Sequence, residues 1–167
     1  MKLMEDVTLT DSIEINTTPE KVFYFLTSLV DDKSYRAWHP DDHVGLRWLM
    51  GPPWKVGSIV CAEEYIHGKL HRLKFVVTKV IPNSFIEYMP VSRFMRRFFP
   101  KNMFTIERKE KISVFTATGM YRIGWLAKTF AKKRIERGLS SVKKHMREEG
   151  ENLKRLLEGM EAQKTEK

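Results

Sequence analysis

The chain has 167 residues, 42% hydrophobic and 31% charged, a globular composition the size of one domain. No run of about 18 apolar residues exists to cross a membrane as a helix, no apolar stretch follows Met1-Lys2 as in a secretory leader, and the single cysteine, Cys61, leaves neither an internal disulfide nor a cysteine-built zinc ribbon. A cytoplasmic protein is expected, and its charge of +9 is regional: residues 91–137 hold thirteen Lys/Arg against three acids, net +10, so the remainder nets −1.

Residues 7–16 alternate apolar and polar, with Val7, Leu9, Ile13 and Ile15 on one side, and predict a strand. Thr17-Thr18-Pro19-Glu20 then reads as a helix start, with Thr18 at the N-cap, Pro19 at the first helical position and Glu20 at the positive end of the dipole. Val22, Phe23, Phe25, Leu26 and Leu29 continue it as an amphipathic helix to about Val30. A short helical piece over 33–37 stops before His39-Pro40.

Strands follow. Residues 43–50 alternate; 58–67 and 70–81 pair across a Gly68-Lys69 turn; 85–89 follows Pro82-Asn83-Ser84. Residues 91–101 fit no single pattern. They mix arginine with aromatics in Arg93-Phe94-Met95-Arg96-Arg97-Phe98-Phe99, which fits a membrane surface or the rim of a pocket. Residues 102–108 and 112–123 predict a last hairpin, and 126–160 a single long helix with weak points at Gly138 and Gly150. The tail 161–167 lacks the apolar residues to pack and is expected to fray.

This order predicts an α+β fold: a curved antiparallel sheet of about seven strands closed by a long C-terminal helix, one domain over residues 1–160. The space between sheet and helix suits a small hydrophobic or aromatic ligand, bordered by some of Trp48, Trp54, Tyr65 and Tyr88. No nucleic-acid motif accompanies the basic segment 91–137, so no nucleic-acid partner is expected; a weak contact with anionic membrane is.

Three clusters carry chemistry. On the long helix, Ile135, Leu139, Val142, Met146, Leu153, Leu156 and Leu157 share an arc, with Glu149 near its middle and His145 one turn earlier. A carboxylate in an apolar stripe must be protonated, paired or bound to metal; Glu148 should face solvent. In Trp38-His39-Pro40-Asp41-Asp42-His43, either histidine is a candidate ligand on a stiffened turn. In the strand 58–67, Val60, Ala62, Glu64 and Ile66 share one face; His71 lies on the apolar face of the next strand. Two histidines and two carboxylates suit zinc, with iron or manganese as second choices. A carrier of hydrophobic ligands, with Glu149 buried only for structure, is the alternative.

The stretch Ile13-Glu14-Ile15-Asn16-Thr17-Thr18-Pro19-Glu20-Lys21-Val22-Phe23 resembles the opening of helix-grip proteins of the START and Bet v allergen superfamily. More specifically, Tyr35-Arg36-Ala37-Trp38-His39-Pro40-Asp41-Asp42-His43, Glu63-Glu64-Tyr65-Ile66 and His145-Met146-Arg147-Glu148-Glu149 resemble the diacetylphloroglucinol and phloretin hydrolase family. That resemblance implies zinc-dependent cleavage of the bond between an acyl group and a phenolic ring. It implies His43, Glu64, His145 and Glu149 as metal ligands and Tyr35 as a substrate contact. His39 and Asp42 join Tyr35 as candidates to orient a phenolic oxygen or move a proton.

Overall fold

The structure is a computed structural model that describes residues 4–165. Its elements in chain order are β1 (Met4–Ile15), α1 (Pro19–Thr27), α2 (Asp32–Trp38), β2 (His43–Met50), β3 (Ile59–Ile66), β4 (Lys69–Ile81), β5 (Phe85–Pro90), α3 (Arg93–Arg96), β6 (Lys101–Lys109), β7 (Ile112–Gly124), α4 (Trp125–Phe130) and α5 (Lys132–Thr165). As expected, all seven strands form one curved antiparallel sheet; their order is β1-β7-β6-β5-β4-β3-β2. Every strand except β1 joins its sequence neighbour, and β1 returns to pair with β7 along its full length, from Met4↔Gly124 to Ile15↔Ser113.

Alternation built these strands, and burial follows it. In β7, Ser113, Phe115, Ala117 and Gly119 are buried, with half-buried residues between them. From α5, Leu153 and Leu157 enter the same core as Ile15, Val22, Leu26, Ile106 and Phe115. Gly150 lets the helix come close to β1: a Cβ there would already meet Ile13 Cγ2 at 3.4 Å. The glycine that looked like a weak point is a point of contact.

Several local expectations are corrected. The β3–β4 turn is His67-Gly68, not Gly68-Lys69; both residues have positive φ (56° and 69°), the backbone a two-residue hairpin needs to match strand twist. Thr18 occupies the N-cap of α1 in extended conformation, but its side chain caps no backbone N–H. The working cap is on α2, where Asp31 accepts from the Ser34 N–H and Ser34 answers in a capping box. The ambiguous 91–101 region contains the short helix α3. The long helix is not single: Ala131 (φ −125°, ψ 23°) leaves the helical region and separates α4, which buries no residue, from α5, which turns back onto the sheet. At the other end α5 runs on to Thr165, so 161–165 is helical, with Glu161 paired to Lys21; residues 166 and 167 lie outside the described residues. No helix among the described residues is long and apolar enough to cross a membrane.

Candidate metal centre and ligand cavity

Sheet register does the first part of assembling the site. His43, first residue of β2, lies directly opposite Glu64 on β3, and Glu64 lies opposite His71 on β4. Helix α5 crosses this row and adds His145 and Glu149 from adjacent turns. One ligand atom from each of His43, Glu64, His145 and Glu149 lies within 4.8 Å of all the others. His43 Nε2 stands 3.0 Å from Glu149 Oε1 and 3.9 Å from Glu64 Oε2; His145 Nε2 stands 3.5 Å and 3.7 Å from the same two oxygens.

Those four separations, 3.0–3.9 Å, bracket the spacing of ligands around a tetrahedral ion. Bonds of about 2.0–2.2 Å to nitrogen and oxygen put neighbouring ligand atoms about 3.4 Å apart. The hydrogen-bond pattern points the same way. At 3.5 and 3.7 Å neither carboxylate makes a proper hydrogen bond to His145 Nε2, the buried side-chain polar atom left unpartnered among the described residues.

Outer contacts aim both imidazoles. His43 Nδ1 lies 3.0 Å from the Tyr35 carbonyl, which can only accept, so Nδ1 carries a proton and Nε2 is the ring nitrogen turned to the cluster, 3.0 Å from Glu149. His145 Nδ1 lies 3.0 Å from Asp42 Oδ2 and is oriented likewise. This is the arrangement that fixes metal-binding histidines in general. Tyr35 stacks on the His43 ring, centroids 3.7 Å apart, and its hydroxyl donates to Glu64 Oε2 at 2.6 Å. Trp38 Nε1 donates to the Glu149 carbonyl at 3.0 Å and pins α5 to α2.

The electrostatics are those of a buried, strongly coupled cluster. Burial would lower the pKa of His145, but the carboxylates of Glu149 and Glu64 push it up to about 12 without metal. Burial would raise Glu149, but His145 and then His43 hold it at about 2. Glu64 faces the same contest and also ends below its ordinary value, with His145 the main cause. Burial, then the charge of Glu64, pushes the Tyr35 phenol well above its ordinary value, so it keeps its proton.

Three members of the cluster, Glu64, His145 and Glu149, line a cavity of about 500 Å³ between sheet and helix. Apolar walls come from Leu73, Phe75, Phe104 and Trp54; Tyr35, Glu64, His145 and Glu149 face in. Of the four aromatics expected at its border, Trp54 and Tyr88 line it, whereas Trp48 packs into the core and Tyr65 is on the outer side of β3. His71 lines it as well. Of the three side chains expected to meet a substrate, only Tyr35 lines the cavity. His39 is buried behind the cluster, with Nε2 3.3 Å from Glu148 and Nδ1 accepting from the Asp42 N–H at 3.3 Å. Asp42 is spent on His145. Glu148 is therefore half-buried against His39 rather than simply solvent-facing.

Asn102, Thr118 and Tyr121, none of them among the expected site residues, also line the cavity. Alternation in β6 and β7 was a usable signal for Asn102 with Phe104, and for Tyr121 with Ala117. Thr118 had none, because it lines the cavity beside inward-facing Ala117 and Gly119, out of step with the alternation.

A curved seven-stranded sheet gripping a C-terminal helix over an apolar cavity defines the helix-grip class, the Bet v and START-like architecture. Solved structures agree at the level of fold. KanY superposes with TM-score 0.68 at 14% identity, covering 92% of this chain and 99% of that one. The di-domain ARO/CYC protein BexL of the BE-7585A biosynthetic pathway gives 0.66 at 12%, covering 89% of this chain and 49% of that one. Major latex-like protein 151 of Panax ginseng gives 0.58 at 14%, covering 86% and 98%. No protein-family model matches the sequence, and no curated protein does.

Proposed function

We propose that this protein is a metal-dependent hydrolase, with zinc the expected metal, that cleaves the carbon–carbon bond joining an acyl group to an aromatic or polyketide-like ring. One observation carries the reading: two imidazoles and two carboxylates converge beside an apolar cavity that Glu64, His145 and Glu149 line, with one imidazole nitrogen unpartnered. His43, Glu64, His145 and Glu149 would hold the ion. When bound, zinc polarises a ketone oxygen and lowers the pKa of coordinated water toward about 7.

The chain's own groups divide the remaining work. Glu64 Oε2 is the outlying oxygen, 3.7 and 3.9 Å from the two imidazole nitrogens, and Tyr35 already claims it. Of the four residues that would hold the ion, Glu64 would be the most loosely placed, and a catalytic zinc would supply its chemistry at a position open to water or substrate. Tyr35, held protonated by burial, serves as a hydrogen-bond donor to Glu64 or to a phenolic oxygen, not as a base. The apolar walls exclude bulk water and receive the ring. Hydrolysis puts the hydroxyl of water on the acyl carbon and a proton on the departing ring carbon, giving a carboxylic acid and the freed arene.

Elemental analysis of protein purified without chelator or polyhistidine tag tests the reading. About one zinc per chain, together with carboxylic acid release from an acylphenol that stops on chelation, is the expected result. Protein that never holds metal yet binds apolar aromatics would instead be a carrier, since the cavity alone suffices for that.

A further inference from the structure

The basic segment is divided by the fold. Arg108, Lys109 and Lys111 lie at the β6–β7 turn, at one end of the sheet. The other ten basic residues gather at the opposite end, where α3, the start of β6, the end of β7, α4 and the first turns of α5 meet. Two contacts tie this end together: the Arg122 N–H donates to the Phe98 carbonyl at 2.7 Å, and the Phe99 ring packs on Tyr121 at 5.4 Å.

Exposed apolar side chains occupy the same end. Phe130 is 83% exposed, more than any other large hydrophobic among the described residues, and Phe94 (68%) and Leu126 (59%) accompany it. Helix α4 buries none of its six residues, although it holds Trp125, Leu126 and Phe130. Exposed apolar side chains gathered at one end of a fold mark an interaction surface. Some of the local cations are neutralised: Lys128 pairs with Glu5, Arg122 with Asp6, Lys101 with Glu87, and Lys132 lies near Glu136. Arg93, Arg96, Arg97, Lys133, Arg134 and Arg137 make no ion pair among the described residues, Arg96 donating instead to the Pro90 and Val91 carbonyls.

We propose that the α3–α4 end docks on anionic lipid bilayers, with Phe94, Leu126 and Phe130 dipping into the headgroup boundary and Arg93, Arg97, Lys133 and Arg134 meeting the lipid charge. Exposed aromatics within a cationic rim fit an interface that is apolar below and negative above. Nucleic acid would use the cations and leave the aliphatic Leu126 without purpose. A protein partner would not need the surplus of six cations without an ion pair. Met95 and Phe99, from the same segment, line the cavity, so docking turns the ligand space toward the lipid. The inference stands apart from the metal reading, because none of its residues is a ligand.

The test is co-sedimentation of the full chain with phosphatidylcholine vesicles, with and without an equal part of phosphatidylglycerol, at low and high salt. Binding is expected to the anionic vesicles only, to weaken with salt, and to shift tryptophan emission to the blue as Trp125 leaves water. Each basic residue near the surface contributes about fivefold, so Lys133→Ala with Arg134→Ala should weaken binding roughly 25-fold. Leu126→Ser with Phe130→Ser should remove the blue shift. Lys111→Ala, at the far end, should change nothing. All are exposed positions, and unchanged melting temperatures would show the variants folded. The proposal is overturned if wild type ignores anionic vesicles, if Lys111→Ala weakens binding as much as the double variant, or if Leu126→Ser with Phe130→Ser binds and shifts like wild type.

Discussion

At the scale of single residues, Glu149 is the most informative side chain. It is buried, and it touches His43 at 3.0 Å while facing His145. Glu149→Ala should strip most zinc and abolish the rise in melting temperature that zinc confers, as metal analysis and thermal melts would show. Glu151→Ala, exposed two positions on, should do neither; Glu148 is no clean control because it reaches His39. Asp42 acts one step back, through His145 Nδ1. Asp42→Ala should weaken zinc about 10–100-fold, and Asp42→Asn, which keeps an acceptor, should recover much of it in a competitive chelator titration. The metal-free cluster also sets a pH profile. Glu149 falls from 4.5 to about 2 on folding, so its stabilisation is complete above 4.5 and lost as pH falls toward 2. His145 rises from 6.5 to about 12, so its stabilisation is complete below 6.5 and lost as pH climbs toward 12. Chelated protein should therefore melt highest between these limits, and Glu149→Gln should flatten both flanks.

At the scale of elements, α5 against the sheet holds the molecule together and sizes its cavity. Leu153 is fully buried between them, and Leu153→Ala should cost about 2–5 kcal/mol in denaturant unfolding. On the facing wall, a Cβ on Gly119 would come within 2.7 Å of the Tyr121 hydroxyl. Gly119→Ala should push Tyr121 aside and change the affinity for an apolar dye, while zinc content stays at wild type. Equal loss of both would mean that strand β7 itself had shifted. The elements themselves were largely legible from alternation and from the helical arc. The break at Ala131 was not, because neither glycine nor proline marks it; the chain bends there to leave the end of β7 and return across the sheet.

At the scale of the whole molecule, the four candidate ligands come from β2, β3 and α5, so an ion would clamp helix to sheet. Metal that binds only the folded chain stabilises it by mass action, by about 4 kcal/mol when free metal is a thousandfold above its dissociation constant. Chelator should accordingly lower the melting temperature of wild type and leave that of Glu149→Ala almost unmoved.

The sequence by itself determined the sheet, the closing helix and the inward faces of Glu64, His145 and Glu149, because strand and helix periods place side chains locally. It left His39 and His43 level, since both sit on one short turn and both become buried. Only the tertiary structure separated them: β2 pairing sets His43 opposite Glu64, while the packing of α2 against α5 sends His39 to Glu148. The same holds for charge. The composition of residues 91–137 is one basic run, but strand pairing sends three of its cations to one end of the sheet and ten to the other, and neutralises some of them with acids distant in sequence. Which groups meet across the sheet depends on register and crossing, and neither is a local property of the chain.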